Sequence, residues 1–241
     1  MSTLRTLALP LVALALAACG GEAQPAPTVT AQPTAAAATA TLAPTATPAP
    51  TATASPTAAA SAAGLTFTVS SGSKAVVRVT EQLADRKDLS DAVLTSDKVS
   101  GEFTLLPSGA FASNSKIVVD LTALASDSRT RDNFIKNDTL STRQFPEATF
   151  VPTKVDGLTL PLPASGDLAF RLTGQMTIRG VTKDVTFDVK ATRSGADLTS
   201  TAHVAPALQF GTFGMTQPRV FSVLSIKDEI RLEVQLVAKQ R

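Results

Sequence analysis

The chain has 241 residues and a formal net charge of +2, which arises from 22 Lys and Arg residues against 20 Asp and Glu residues. These charges are scattered rather than clustered, so nucleic acid is not expected as a partner. Cys19 is the only cysteine and His203 the only histidine, which excludes an intramolecular disulfide framework and a cysteine-rich metal site. Because the usual acid–base residues are nearly absent, we expect no enzyme, metal or cofactor, although carboxylates and lysines retain the chemistry for catalysis.

Residues 1–19 have the pattern of a bacterial export signal. Arg5 precedes an uncharged run, residues 7–18, which is shorter than the about 20 apolar residues that a membrane-spanning helix needs. The run ends at residues 16–19 (Leu-Ala-Ala-Cys), which resemble the lipobox of bacterial lipoproteins. We therefore expect a lipoprotein signal peptide, with Cys19 lipidated and the protein anchored on the extracytoplasmic side of a membrane, in the periplasm or at the cell surface. An ordinary secretory signal that contains a cysteine is the alternative.

Residues 20–64 consist almost entirely of Ala, Thr and Pro, with Glu22 as the only charge. Alanine alone favours a helix, but the recurring prolines remove amide donors and bias their neighbours toward extended conformations. The composition therefore predicts a disordered tether between the lipidated cysteine and a folded domain.

From residue 65 to residue 241 the pattern changes to short alternating apolar runs, separated by Gly, Pro, Asp, Asn and Ser. Leu168, Phe170 and Leu172, for example, share one parity, and this period of two places them on one face of a strand. The pattern predicts antiparallel strands with one wet face. About nine segments show it: residues 67–80, 99–106, 116–121, 148–155, 168–178, 185–191, 198–204, 220–226 and 230–238.

Two interruptions complete the predicted architecture. A tight connection at residues 179–184 predicts a hairpin, and residues 128–136, which break the alternation, predict a short helical insertion. Because strands this closely spaced leave no room for helices between them, an all-β barrel or sandwich is expected rather than a parallel α/β sheet. A barrel of eight strands either fills itself with side chains or encloses one slim ligand.

The aromatic composition bears on whether the barrel is filled by side chains or encloses a ligand. All eleven Phe residues lie between Phe67 and Phe221, and Trp and Tyr are absent. Large apolar surfaces without a phenolic or indole group suit a hydrocarbon ligand, but composition alone is better explained by Phe residues that fill the core. His203 lies on the parity opposite Ala202 and Val204, so an exposed or rim position is expected for it.

Several motifs together resemble the YceI-like polyisoprenoid-binding family, from about residue 65 to the C-terminus. The most specific is residues 174–185 (Gly-Gln-Met-Thr-Ile-Arg-Gly-Val-Thr-Lys-Asp-Val), which are similar to the family's hairpin motif. The chain departs from the family at Phe134-Ile135, where a His-Leu pair is common, so no polar role of that histidine carries over. Other landmarks occur in the family's order: residues 99–103, 118–124, 131–132, 145–150 and 210–214.

The resemblance implies an antiparallel, lipocalin-like β-barrel of about eight strands, with a short helical insertion and an apolar lumen that holds an isoprenoid or another long-chain lipid, quinone-like or fatty-acyl. Strand parity then gives the candidate ligand-binding residues. On the lumen wall these are Phe103, Phe150, Leu168, Phe170, Leu172, Met176, Ile178, Phe187, Leu232 and Val234, with Phe134, Phe210 and Phe213 near an opening. Arg131 and Asp132 are candidates for binding a head group or, with slight preference, for pinning the insertion.

Two other functions stay open on the sequence alone. A filled β-domain could act as a surface interaction or stress-response module without a small ligand, and the volume of the lumen distinguishes it from a lipid carrier. A hydrolase or isomerase acting on lipid would need a polar cluster in the lumen, and no Ser-His-Asp or paired-carboxylate arrangement is evident. The sequence does not indicate an oligomeric state.

Overall fold

Ten strands and a short helical insertion make up the described part of the chain. The computed structural model describes residues 64–241, so the predicted signal peptide, Cys19 and the predicted tether up to residue 63 lie outside the described residues. No helix within residues 64–241 is long and apolar enough to cross a membrane. The elements are β1 (Leu65–Val69), β2 (Lys74–Leu83), β3 (Leu89–Ser96), β4 (Val99–Leu105), β5 (Lys116–Asp120), α1 (Arg129–Phe134), a π-helix (Ile135–Thr139), β6 (Glu147–Asp156), β7 (Ser165–Ile178), β8 (Val181–Ser194), β9 (Asp197–Val204), a 3₁₀ turn (Phe210–Phe213) and β10 (Val223–Gln240).

The strands close into an antiparallel barrel because the last strand returns to the first two. From β4 to β10 each strand pairs with its neighbour in the chain. β10 pairs with β9 along one edge and with β2 and β1 along the other. β1 and β2 therefore act as one interrupted strand, and β3 and β4, which pair with them, form a second. Counted in this way the barrel has eight strands, as predicted, with meander connections.

The two ends of the barrel differ. The chain enters at Leu65 and leaves after Gln240 at the same end, which also carries the loops at residues 106–115 and 157–164 and is called the terminal end below. The opposite end carries the insertion between β5 and β6, the connection between β9 and β10, and the β2–β3 and β7–β8 turns, and is called the helical end.

β3 was not predicted from the sequence. Its inward positions include Ser90 and Ser96, which pair with Glu81 and Ala75 of β2. Its outward positions include Leu89, which is exposed. The alternation of apolar and polar residues is therefore weak and partly reversed, which is why no strand was predicted there.

Two predicted boundaries were also wrong. The segment predicted as one strand at residues 67–80 is divided by a turn that contains Gly72, whose φ of 92° is accessible to glycine. The segments predicted separately at residues 220–226 and 230–238 belong to one long strand, β10, whose pairing with β2 is irregular between Ile226 and Ile230.

The hairpin between β7 and β8 is tighter than predicted. Only Arg179 and Gly180 lie in the turn, with φ values of 53° and 73°, and pairing resumes at Val181. Two residues with positive φ are typical of the turn that matches the twist of the flanking strands. Arg179 Nη1 also donates a hydrogen bond of 2.9 Å to the Gly214 carbonyl, which ties the hairpin to the connection before β10.

The helical insertion lies where it was predicted and extends to Thr139. The Ser128 side chain caps α1 by accepting a hydrogen bond from the Arg131 amide at 3.3 Å. The carboxylate of Asp132 accepts hydrogen bonds from the backbone N–H and the hydroxyl of Ser126, at 2.9 and 2.6 Å. These contacts fix the start of the insertion relative to the strand before it.

The chain leaves β5 through a turn held by Asp120, whose carboxylate accepts hydrogen bonds from the Thr122 hydroxyl at 2.6 Å and the Thr122 amide at 2.8 Å. The hydrogen bond from the Thr122 side chain holds the pKa of Asp120 below its usual value of 3.8, against a smaller effect of burial. Asp120 therefore stabilises the fold above the usual pKa, and this contribution is lost as the pH falls through the lowered value. We expect Asp120→Asn to unfold at lower urea concentration than the wild type at about pH 7, and the difference to shrink as the pH falls below the usual pKa of an aspartate. A difference that is independent of pH would contradict this role of the carboxylate.

Candidate functional site: an apolar lumen

The barrel encloses a lumen of about 420 Å³, a volume typical of small-molecule sites. Every lumen residue predicted from strand parity, including those of the helical insertion and the 3₁₀ turn, lies on its wall. The inward parity was therefore predicted correctly. Phe210 and Phe213 were predicted to lie near an opening of the lumen. They lie at the helical end but are only 5% and 0% exposed, so they are part of the closed wall there.

The lumen is hollow, as the exposure of its inward side chains shows. Phe170, Leu172, Leu232 and Val234 line the lumen and pack against the core, yet each retains accessible surface. In a filled core such side chains would be buried against one another. Accessible surface on inward side chains, together with the lumen volume, argues against the alternative of a solidly packed β-module.

Aromatic pairs shape the wall at two levels. Near the terminal end Phe67 and Phe103 face each other on paired strands and stack, with ring centroids 5.4 Å apart. Nearer the helical end Phe150 and Phe187 meet edge to face at 5.2 Å, although β7 separates their strands. Gly174 of β7 permits this contact, because a Cβ there would lie 2.5 Å from Phe150 Cζ.

Gly174→Ala is expected to lower the free energy of unfolding by about 2 kcal/mol, since the added Cβ would lie 2.5 Å from both the Phe150 ring and the Val151 carbonyl oxygen, and both would have to shift. The matched control is Gly211→Ala, because a Cβ at Gly211 meets no atom within 4 Å and the residue has no positive φ. Urea unfolding of both variants measures the difference. Equal stability of the two would show that the ring does not depend on the glycine.

Arg193 is buried near the terminal end, on the inward parity of β8. It is 6% exposed, and its guanidinium donates hydrogen bonds to the carbonyl oxygens of Pro163 and Gly195, each at 3.0 Å, and to the side chain of Gln240. The guanidinium carbon also lies 5.5 Å from the centroid of the Phe67 ring, a cation–π contact. Arg193 was not predicted as a site residue, although it shares the inward parity of Val189 and Ala191 on β8.

A polar pair lies on the lumen wall at the helical end. Arg131 Nη2 donates to Glu81 Oε1 of β2 at 2.8 Å, and Arg131 Nη1 bonds to Asp127. Glu81 is 5% exposed and was also missed, although it follows Val77 and Val79 on the inward parity of β2. These bonds pin α1 to the barrel, which is the structural role that the sequence favoured for Arg131.

The other polar candidates face away from the lumen. Asp132 does not line it, because its carboxylate is bonded to Ser126. His203 is exposed on the outer face of β9, as expected. Among residues 64–241 no group of three or more His, Cys, Asp or Glu side chains is arranged to hold a metal ion.

Comparison with known proteins gives matches of two kinds. A UPF0312 protein of Vibrio parahaemolyticus is 32% identical over 99 residues, which cover 41% of this chain and 49% of that protein. The protein YceI of Escherichia coli O157:H7 is 31% identical over 98 residues, 40% of this chain and 47% of that protein. The chain thus matches about half the length of these curated relatives.

Solved structures have the same fold over a longer part of the chain. BcnA of Burkholderia cenocepacia superposes with a TM-score of 0.53 at 19% identity, over 71% of this chain and 99% of that one. A polyisoprenoid-binding domain from Saccharophagus degradans gives a TM-score of 0.54 at 13% identity, over 73% and 99%. The family profile of the YceI-like domain matches residues 71–238, and since this is more than half of the sequence, the chain belongs to the YceI-like domain family.

Proposed function

We propose that this protein binds a long-chain lipid, a polyisoprenoid or a quinone-like or fatty-acyl molecule, inside the barrel and carries or sequesters it. The observation that carries the proposal is the hollow apolar lumen, in which inward side chains such as Phe170, Leu172 and Leu232 stay accessible. The polyisoprenoid-binding domain from Saccharophagus degradans has the same fold, which supports an isoprenoid as the ligand class. The wall carries few acid–base groups, which favours a binding role over catalysis.

The affinity arises from burial of hydrocarbon. Each methylene removed from water contributes about 0.8 kcal/mol, so a chain of about ten carbons gains several kcal/mol after the cost of association. Because this contribution scales with buried length, chain length and girth should govern selection. Phe67 and Phe103 give the wall rigid aromatic surface near the terminal end.

We also propose that the protein is anchored on the extracytoplasmic side of a membrane through a lipidated Cys19, with residues 20–64 as the tether. The resemblance of residues 16–19 to a lipobox supports this. The tether would join the barrel at the terminal end, where Leu65 enters. Mass spectrometry of the membrane fraction tests the anchor: a diacylglyceryl group on an N-terminal Cys19 is expected, and an unmodified cysteine would rule it out.

Native mass spectrometry of the protein extracted without detergent tests the binding function. The expected result is a stoichiometric adduct with the mass of a long-chain lipid, which solvent extraction removes and added lipid restores. A protein that stays unliganded after incubation with the lipids of its own envelope would refute the proposal.

A further inference from the structure

Three large apolar side chains are exposed at the helical end of the barrel. Phe221 is fully exposed, and Leu224 and Leu89 are 65% and 55% exposed; the three residues are called the apolar patch below. Among the other described residues only Val93 and Val237 are large, apolar and exposed, at 37% and 36%. Exposed apolar side chains that are concentrated in one place are typical of a binding surface.

The apolar patch extends across three neighbouring strands. Leu89 of β3 pairs with Gln82 of β2, and Gln82 pairs with Ser225 of β10. Leu224 precedes Ser225 directly, and Phe221 lies in the turn before β10. The three side chains therefore lie at one corner of the barrel.

Hydrogen bonds hold Phe221 at the tip of its turn. The Val223 amide donates to the Val220 carbonyl at 3.0 Å, and the Ala84 amide at the end of β2 donates to the Ser222 carbonyl at 2.9 Å. Val220 and Val223 line the lumen, whereas Phe221 does not. A single turn of the chain therefore separates the lumen from the apolar patch.

The size of the apolar patch argues against a protein as its partner. A stable protein–protein interface buries about 800 Å² on each partner. One Phe and two partly exposed Leu side chains present roughly half of that area at most. A bilayer needs less, because a few apolar side chains that enter the boundary between head groups and acyl chains hold a protein at a membrane surface.

The charges around the apolar patch balance. The exposed charged side chains of the β2–β3 turn and of the segment around Phe221 are Arg86, Lys87, Arg219 and Lys227, with Asp85, Asp88, Asp228 and Glu229. Four cations and four anions give no net attraction to an anionic surface. Burial of the apolar side chains would therefore drive docking.

The proposed tether is long enough to bring the helical end to the membrane that holds Cys19. The chain enters the barrel at Leu65, at the terminal end, so the apolar patch lies at the end away from the tether. Extended at about 3.1 Å per residue, residues 20–64 would span on the order of 140 Å. The longest strand, β10, has 18 residues and spans about 60 Å. Such a tether would let the barrel turn its helical end toward the bilayer.

We propose that the apolar patch docks the helical end of the barrel on the surface of a phospholipid bilayer, with Phe221 and Leu224 inserted at the boundary of the acyl chains, and that lipid enters and leaves the lumen at this end. The exchange of lipid rests on the proposed binding function. Docking itself rests on the apolar patch alone.

Tryptophan fluorescence tests docking, because the chain contains no Trp or Tyr. Phe221→Trp places the one Trp of the chain in the apolar patch. The full-length protein with this substitution is mixed with phosphatidylcholine vesicles, or reconstituted into them through its own anchor, with and without bromine on the acyl chains. Bromine quenches Trp only at contact. We expect the emission to move to shorter wavelength and to fall about twofold with bromine, since the inserted ring lies against the acyl chains.

Val237→Trp is the matched control. Val237 is exposed on the outer face of β10, close to the terminal end, so bromine should leave its emission unchanged. Equal quenching of the two variants, or no quenching of Phe221→Trp, would overturn docking through the apolar patch. A shift to shorter wavelength that needs no vesicles and disappears on dilution would also overturn it, because a second copy of the chain would then cover the patch.

The lipid composition tests what drives docking. Because the charges balance, quenching of Phe221→Trp should be the same when phosphatidylglycerol is added to the vesicles and when the salt concentration is raised. Quenching that requires the anionic lipid would contradict a docking driven by apolar burial.

Transfer of geranylgeraniol from vesicles to the lipid-free protein tests the exchange of lipid. Phe221→Ser is expected to slow the transfer about tenfold and to leave the affinity unchanged, because Phe221 does not line the lumen. Val237→Ser is the control and should transfer at the wild-type rate. A wild-type rate in Phe221→Ser would show that lipid does not exchange at the patch. If the wild type does not bind geranylgeraniol at equilibrium, the proposed function and the exchange both fail, and the fluorescence measurement still decides docking.

Discussion

Filling the lumen with two phenylalanine side chains, by the double substitution Ala202→Phe and Val234→Phe, is expected to abolish lipid binding and leave the barrel folded. The two residues are paired across β9 and β10 and both line the lumen. The two rings occupy space that about four methylenes of the lipid would otherwise fill. At about 0.8 kcal/mol for each methylene, the binding free energy is weakened by roughly 3 kcal/mol, which raises Kd more than a hundredfold. The hollow interior has room for the new rings, so the midpoint of thermal unfolding should be unchanged or raised.

The neighbouring pair on the same two strands supplies the control. Thr201 and Gln235 are paired in the same way but lie on the opposite parity, facing outward. Thr201→Phe with Gln235→Phe adds the same two rings to the outer surface. We expect this variant to bind lipid as the wild type does in a native mass spectrometry titration. Wild-type affinity in the lumen-filled variant would mean that the ligand binds elsewhere on the protein.

Arg193→Ala is expected to lower the free energy of unfolding by about 3 kcal/mol, the largest effect on stability that we expect from a single substitution in this barrel. The substitution removes the donor from the buried carbonyls of Pro163 and Gly195 and the cation from the face of Phe67. Buried acceptors that lose their partner bear the cost of desolvation. Urea unfolding measures the change.

Arg171→Ala is the matched control for this prediction. Arg171 lies on β7 and pairs with Asp188 at 3.4 Å, but both side chains are largely exposed, so the pair contributes less than about 1 kcal/mol. Arg193→Lys should be intermediate, since it keeps the charge but loses the planar guanidinium that reaches several acceptors at once. Equal losses in Arg193→Ala and Arg171→Ala would show that Arg193 does not hold the terminal end together.

The local features of the fold could be predicted from the sequence because they depend on neighbouring residues. In β7 the alternation that includes Phe170 and Leu172 is regular, and it identified both the strand and its inward face. In β3 the inward positions include Ser90 and Ser96, which interrupt the alternation of apolar and polar residues. The strand is therefore recognised only from its pairing with β2. The closure through β10 likewise depends on contacts between residues far apart in the chain.

The polar part of the site was harder to predict. Glu81 and Arg193 share the inward parity of their strands, but a charged residue in an alternating segment is ordinarily taken as exposed. Their burial depends on partners from distant segments, Arg131 for Glu81 and Phe67 for Arg193. Whether the lumen stays hollow also depends on the radius of the closed barrel, which strand number and stagger determine together.

If the hollow lumen binds a long-chain lipid, that lipid should still occupy it when the protein is purified from its host. A crystal structure of the protein purified from its host without detergent tests this most directly. We expect one continuous elongated density along the lumen, from the stacked Phe67 and Phe103 toward the Arg131–Glu81 pair. A lumen that holds only water, or one filled by side chains that meet across its centre, would contradict it.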